Sequence, residues 1–256
     1  MEYKNDPETL KSLAEYFVDQ GHDDKALGTY IRLKDYETAL KLCEAKNLKI
    51  SVETADSIFD ELDIKTENES KKKLLKRLAK QLTTQGDFEL AHQKYVQMGN
   101  LKKAMKCLIK LGDKDKVTHF ANTSRYSDNY ILAANFLQSL DWNDNPDIIK
   151  LIVTFFKKAK AYDNLANFYC LCASVEINDY RNYDKALEAL NEARVVLKQE
   201  MHKEMNDEHK QKVIAKDEEL EQRVTMTKLF LHTCSVRKNQ PQDALKECTD
   251  LLGIVK

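Results

Sequence analysis

"GHDDKALGTYIRLKDYETALKLCEAK", residues 21–46, holds one short phrase twice. Asp24-Lys25-Ala26-Leu27 is echoed by Glu37-Thr38-Ala39-Leu40, and each alanine is followed four residues later by Tyr30 or Cys43. Positions four apart lie one above the other on a helix, so each phrase sets a small side chain beside a larger one on one face. The echo is either an accident of a helix-rich composition or one tooth of a repeating scaffold.

Sliding the chain over itself until Leu10 meets Leu75 decides between them. Leu13, Ala14, Gly21, Ala26, Tyr30 and Ala39 then land on Leu78, Ala79, Gly86, Ala91, Tyr95 and Ala104. Phe17, Leu33 and Tyr36 meet Leu82, Met98 and Leu101, and no gap is needed across residues 10–45 and 75–110. A fixed internal period is the signature of a repeat architecture.

The spacing has physical content. Leu10, Leu13, Ala14 and Phe17 stand at i, i+3, i+4 and i+7, which predicts one packed helix face. Gly21 ends that helix, because glycine takes the left-handed conformation at little cost. A second helix then puts Ala26 and Tyr30 one turn apart, the alanine allowing close backbone approach and the aromatic filling the gap beside it. Leu10-x2-Leu13-Ala14-x2-Phe17…Ala26-x3-Tyr30 follows the tetratricopeptide pattern W-x2-L-G-x2-Y…A-x3-F…P, with Leu in the Trp position and no terminal Pro. Ala166-x3-Cys170, Ala186-x3-Leu190 and Ala244-x3-Cys248 are worn copies. The expected fold is all-α: an irregular tetratricopeptide-like α-α superhelix, or solenoid, of about fourteen helices. Its expected packing residues are Ala14, Phe17, Gly21, Ala26, Tyr30, Ala39, Ala79, Gly86, Ala91, Tyr95, Ala104, Ala166, Ala186 and Ala244.

Composition agrees. Six glycines and three prolines in 256 residues favour helix and starve a sheet of turns. The prolines follow Asp6, Asn145 and Gln240, where a helix can begin. We expect a first pair of helical hairpins over 1–62, a polar loop over 63–70 ("DIKTENES") and further repeats over 71–198. A long charged helix plus a capping helix should fill 199–256. In that last segment Val213, Leu220, Val224 and Leu231 form one thin apolar stripe from about Glu208 to Arg237, on a helix that protrudes or caps the array, with 201–207 as its approach.

A net charge of −1 with 32% charged residues argues against non-specific nucleic-acid binding, which needs a basic excess. The apolar stretch 148–156 is broken by Lys150 and falls short of a membrane span. The first residues carry no apolar signal, and the six cysteines are expected to be free thiols in a reducing compartment.

Chemistry-bearing motifs are scarce. The glycines do not cluster into a phosphate cradle, and no G-x-S-x-G elbow or H-E-x-x-H pair is present. Cys170-Leu171-Cys172 lacks the second pair a zinc site needs, and cysteines four residues after an alanine read as core packing. The acidic turn 141–147 lacks the glycine and final glutamate of a calcium loop. Lys71-Lys72-Lys73 with Lys76-Arg77 reads as a wet helix face, an acidic partner being the sharper alternative. Trp142 is either a wedge in the core or a partner contact, since tryptophan is enriched at binding hot spots. No enzyme activity, cofactor or metal is expected.

Two stretches go beyond the generic repeat: "YFVDQGHDDKALGTYIRLKDYETALKLCEAK" (16–46) and "ILAANFLQSLDWNDNPDIIKLIVTFFKKAKAYDNLANFYCLCASVEINDYRNYDKALEAL" (131–190). They resemble the C-terminal tetratricopeptide region of the intraflagellar transport 140 family, large subunits of intraflagellar transport complex A. The resemblance runs from residue 10 through the Asp184-Lys185-Ala186 helix, and "AANFLQSLDW" and "VEINDYRNYDKAL" carry it best. It implies a non-enzymatic protein of the cytoplasm, cilium and ciliary base. Such a protein helps build the particle that returns cargo from the ciliary tip and admits membrane receptors. Its partners would be other protein subunits in a hetero-oligomer, with no nucleic acid and no membrane insertion. Family members carry β-propellers before their repeats and none fits here, so the chain resembles a fragment or a short relative. The competing reading is an adaptor of vesicle-coat or chaperone-associated machinery.

Overall fold

The structure is a computed structural model describing residues 6–62, 68–201 and 206–239, with residue 249. Among the described residues there are thirteen helices and no strand. The expected capping helix, with Pro241, Ala244 and Cys248, lies outside them, as do residues 63–67 of the expected polar loop and 202–205 of the approach to the long helix.

The opening phrase sits on α2 (Asp23–Arg32) and α3 (Tyr36–Lys46), following α1 (Pro7–Asp19). After α4 (Val52–Leu62) and α5 (Glu69–Thr84) come α6 (Phe88–Gln97) and α7 (Leu101–Leu111). The step that carries Leu10 to Leu75 also carries both ends of α2 onto those of α6, and both ends of α3 onto those of α7. Then the rhythm shortens. The same step would start the counterpart of α4 at Val117, but α8 (Lys114–Ser124) has already begun at Lys114.

Short polar residues start these helices, and a left-handed residue follows many of them. Asp6 accepts from the Thr9 N–H at 3.0 Å, Asp35 from Thr38 at 3.1 Å and Asn100 from Lys103 at 3.2 Å, each relieving an unpaired first-turn donor. Left-handed backbone falls at Gly21, Lys34 and Asn47, and again at Gly86, Gly99 and Gly112. These stops are evenly spaced within each copy, and each lies one full repeat step from its counterpart. The double phrase of residues 21–46 is therefore one helix and one turn, repeated.

The chain divides into two compact units, Met1–Arg125 and Tyr126–Lys256. In the first unit α1 packs on α2 and α2 on α3; α5 meets α3, α4 and α6, and α7 joins α6 to α8. Ala14, Ala26, Ala79, Ala91 and Ala104 are all fully buried, so backbones meet where side chains are smallest. Gln85 clamps the segment before α4, accepting from the Ile50 N–H and donating to the Ile50 carbonyl, both at 2.9 Å.

One expectation is corrected here. The spacing of Leu10, Leu13, Ala14 and Phe17 predicts a packed face, but Leu13 is 41% exposed and Leu10 and Phe17 are half-buried. Their counterparts Leu75, Leu78 and Leu82 are buried. The reason is neighbours: α5 has helices on both sides, whereas the main partner of α1 is α2 alone.

The second unit pairs α9 (Ser127–Gln138) with α10 (Pro146–Ala159), and α11 (Tyr162–Asn178) with α12 (Tyr183–Met201). Asn145 caps α10, accepting from Ile148 N–H at 3.3 Å. Ala166 and Ala173 on α11, and Ala186 and Ala193 on α12, are seven apart and fully buried in one cluster. Two turns separate residues seven apart, so each helix offers a continuous seam of small side chains. The last described helix, α13 (Asp207–Asn239), packs along α12 through Val213, Leu220 and Val224. Arg194 of α12 forks onto Asp217 of α13 at 3.0 and 3.3 Å. Lys216 reaches Asp163 of α11 at 2.5 Å. Three members of the apolar stripe thus form an internal seam while Leu231 is half-buried, and along that seam α13 lies against its neighbours instead of protruding.

Candidate protein-interaction surface

The residues singled out by the repeat build the scaffold from inside. Ala14, Ala26, Ala39, Ala79, Ala91, Ala104, Ala166 and Ala186 are buried, with Tyr30 and Tyr95 beside them. Phe17 is half-buried against the first unit's core, and Gly21 and Gly86 stand at exposed left-handed turns. Ala244 lies outside the described residues. Trp142 is 7% exposed and meets Phe168 edge-on at 5.2 Å, so its ring faces into the second unit.

Burial makes Cys43, Cys107 and Cys172 poor nucleophiles. Burial pushes the Cys43 thiol up to about 11 and the Cys172 thiol up to about 12. Burial also raises Cys107, whose sulfur lies 3.8 Å from the Thr83 hydroxyl. A neutral thiol neither attacks nor ligates well. His92 stacks edge-on with Phe120 at 4.7 Å, and its Nδ1 lies 3.1 Å from the Ala104 carbonyl. Among the described residues no three His, Cys, Asp or Glu side chains gather as a metal site would need. No helix there is long and apolar enough to cross a membrane.

What the scaffold does present is a cleft. It has a volume of about 360 Å³ and is walled by Lys80, Thr83 and Thr84 of α5, Tyr95 of α6, and Lys103, Lys106, Cys107 and Lys110 of α7. On α7 the lysines fall at i, i+3 and i+7, one helix face. Lys103 holds its ammonium 5.5 Å from the centre of the Tyr95 ring, and Lys110 sits at the same distance from Phe88. Thr83 and Thr84 donate their hydroxyls to the carbonyls of Ala79 and Lys80 at 2.9 and 3.1 Å.

Sequence reasoning looked for basic character elsewhere, in the run at 71–77. There Lys72 pairs with Glu69 at 3.1 Å and Arg77 with Glu44 at 2.8 Å, so two of those charges are engaged. The cleft lysines are too dispersed in the chain to read as a cluster. Laying one copy over the other would have exposed them: Glu15, Asp19, Thr38 and Ala45 are replaced by Lys80, Thr84, Lys103 and Lys110.

Two family models match the chain. The intraflagellar transport 140/172 TPR domain matches residues 1–155, and the intraflagellar transport 140 C-terminal TPR domain matches residues 163–255.

Proposed function

Since the chain belongs to the intraflagellar transport 140/172 TPR domain family and corresponds to the C-terminal tetratricopeptide region of its 140 branch, we propose that it works without catalysis, as a structural subunit of intraflagellar transport complex A. Families of this kind are protein-interaction scaffolds of the ciliary transport machinery. On this reading the chain holds other subunits of the complex in register, supports return of cargo from the ciliary tip and helps cargo enter at the ciliary base.

The single observation that carries the proposal is the pair of family matches, which together span nearly all the chain. The fold supports it. Stacked hairpins bury their alanine seams and turn charged helix faces outward, an arrangement that spreads binding over many side chains. Affinity purification of the tagged chain from ciliated cells tests it. Complex A subunits should co-purify, and loss of the chain should leave transported material at the ciliary tip. Recovery of vesicle-coat or chaperone components alone would overturn the assignment.

A further inference from the structure

The cleft between α5 and α7 is basic for a reason the fold itself does not supply. The first copy of the repeat builds corresponding helices one step earlier in the chain. Where the second copy has Lys80, Lys103, Lys106 and Lys110, the first has Glu15, Thr38, Lys41 and Ala45, and Asp19 stands in the place of Thr84. Both copies bury the same alanines and tyrosine, so helix packing does not demand the lysines.

Nor does any acidic neighbour consume their charge. Among the described residues none of the four has an ion-pair partner. Glu44, whose ionised form Lys80 favours weakly, is already engaged by Arg77. Four like charges held together cost energy in the free chain and become favourable when an anion arrives.

We propose that this cleft binds an acidic peptide segment of a partner protein. The inference rests on the scaffold reading and deepens it by naming the partner's chemistry. Lys103 to Lys110 spans about 10.5 Å along α7 at the helical rise. An extended peptide advances about 3.3 Å per residue, so roughly four residues run alongside. Alternate Asp or Glu side chains of that peptide face α7 and meet its lysines, while Lys80 closes from α5. The Tyr95 ring and the Cys107 thiol form an apolar wall for the stems of those acids. A recessed cleft of this size accepts a narrow chain, whereas a bilayer surface would press against a flat or convex basic face.

Fluorescence anisotropy on the whole chain tests this, using a fluorescein-labelled oligoglutamate peptide, its oligoglutamine counterpart, and vesicles containing phosphatidylinositol bisphosphate. The oligoglutamate peptide should bind, weaken as salt rises, and lose about tenfold in affinity with Lys80→Glu plus Lys106→Glu. The replaced side chains are exposed, so circular dichroism and melting should match the parent. Lys80→Gln plus Lys106→Gln should fall between. Equal binding of the glutamine peptide, indifference to charge reversal, or vesicle binding without peptide binding would overturn the assignment. Co-purification of complex subunits is scored separately. If the parent chain recovers them but binds no acidic peptide, only the cleft assignment falls; if it recovers none, the scaffold reading falls whatever the peptide does.

Discussion

Lys34 and Gly99 occupy the same place in successive copies of the repeat, and both hold left-handed backbone, at φ 61° and 70°. A side chain there brings its Cβ close to the carbonyl oxygen, a penalty glycine escapes. Lys34 also pairs with Glu61 at 2.5 Å, but both side chains are open to solvent, where such a pair contributes little.

Lys34→Gly should therefore stabilise the chain by about 0.5–1 kcal/mol, the relieved strain less the entropy glycine loses on folding. Gly99→Ala should cost about 1 kcal/mol through backbone strain, since nothing lies within 4 Å of an added Cβ. Urea melts of the two variants check both signs. A destabilised Lys34→Gly would show that the Glu61 pair outweighs the strain.

Leu13 and Leu78 are equivalent in the repeat but not in burial, at 41% and 0% exposed. Leu78→Ala should cost about 2–5 kcal/mol through lost burial and a cavity. Leu13→Ala should change stability by less than about 1 kcal/mol. Equal losses in thermal denaturation would mean that Leu13 is covered in solution.

Lys94 of α6 is buried, paired with Asp56 of α4, and its ammonium lies 4.7 Å from the Phe59 ring centre. Removing the acid strands a buried cation, so Asp56→Ala should cost about 1–3 kcal/mol. Lys94→Met removes the charge together with its need for a partner, and should leave stability unchanged or raise it by about 1 kcal/mol. Chemical denaturation ranks the two, and a larger loss for Lys94→Met would contradict the argument.

The Arg77 guanidinium, hydrogen-bonded across α5 and α3, holds the Glu44 carboxyl below its usual range. A carboxyl depressed in the folded state adds stability that is present above the ordinary glutamate value and lost as pH falls through the depressed one. The gap between the parent and Glu44→Gln should exist at neutral pH, close in acid, and shrink with salt. A gap that persists in acid would assign the effect to shape instead of charge.

Cys43 and Cys172, with thiols pushed up to about 11 and about 12, should alkylate far more slowly at neutral pH than exposed Cys234. Thiols raised by burial favour folding below the ordinary thiol value, and that contribution is lost as pH climbs toward the raised values. Peptide mapping after a short iodoacetamide pulse reads the order of labelling. Early modification of Cys43 would show that the core opens.

Much of the first unit was legible in the chain itself, because Ala26, Tyr30, Ala39 and their copies have one physical reason to recur. Helix backbones can approach closely only where side chains are small. The long helix α13 was legible as a helix, through its unbroken charged run and its apolar stripe. What Val213 and Leu220 would meet was not, since a stripe shows a face without showing its partner.

By itself the sequence determined that this protein is built of helices, where most of them stop, and which small side chains lie between them. Those properties are local, set by turns of 3.6 residues, caps and left-handed stops. Only the tertiary structure decided that Leu78 is covered while Leu13 is not, that Trp142 turns inward, and that four scattered lysines share one cleft. Each depends on which helices come together, and residues distant in the chain acquire a common environment only when the backbone brings them side by side.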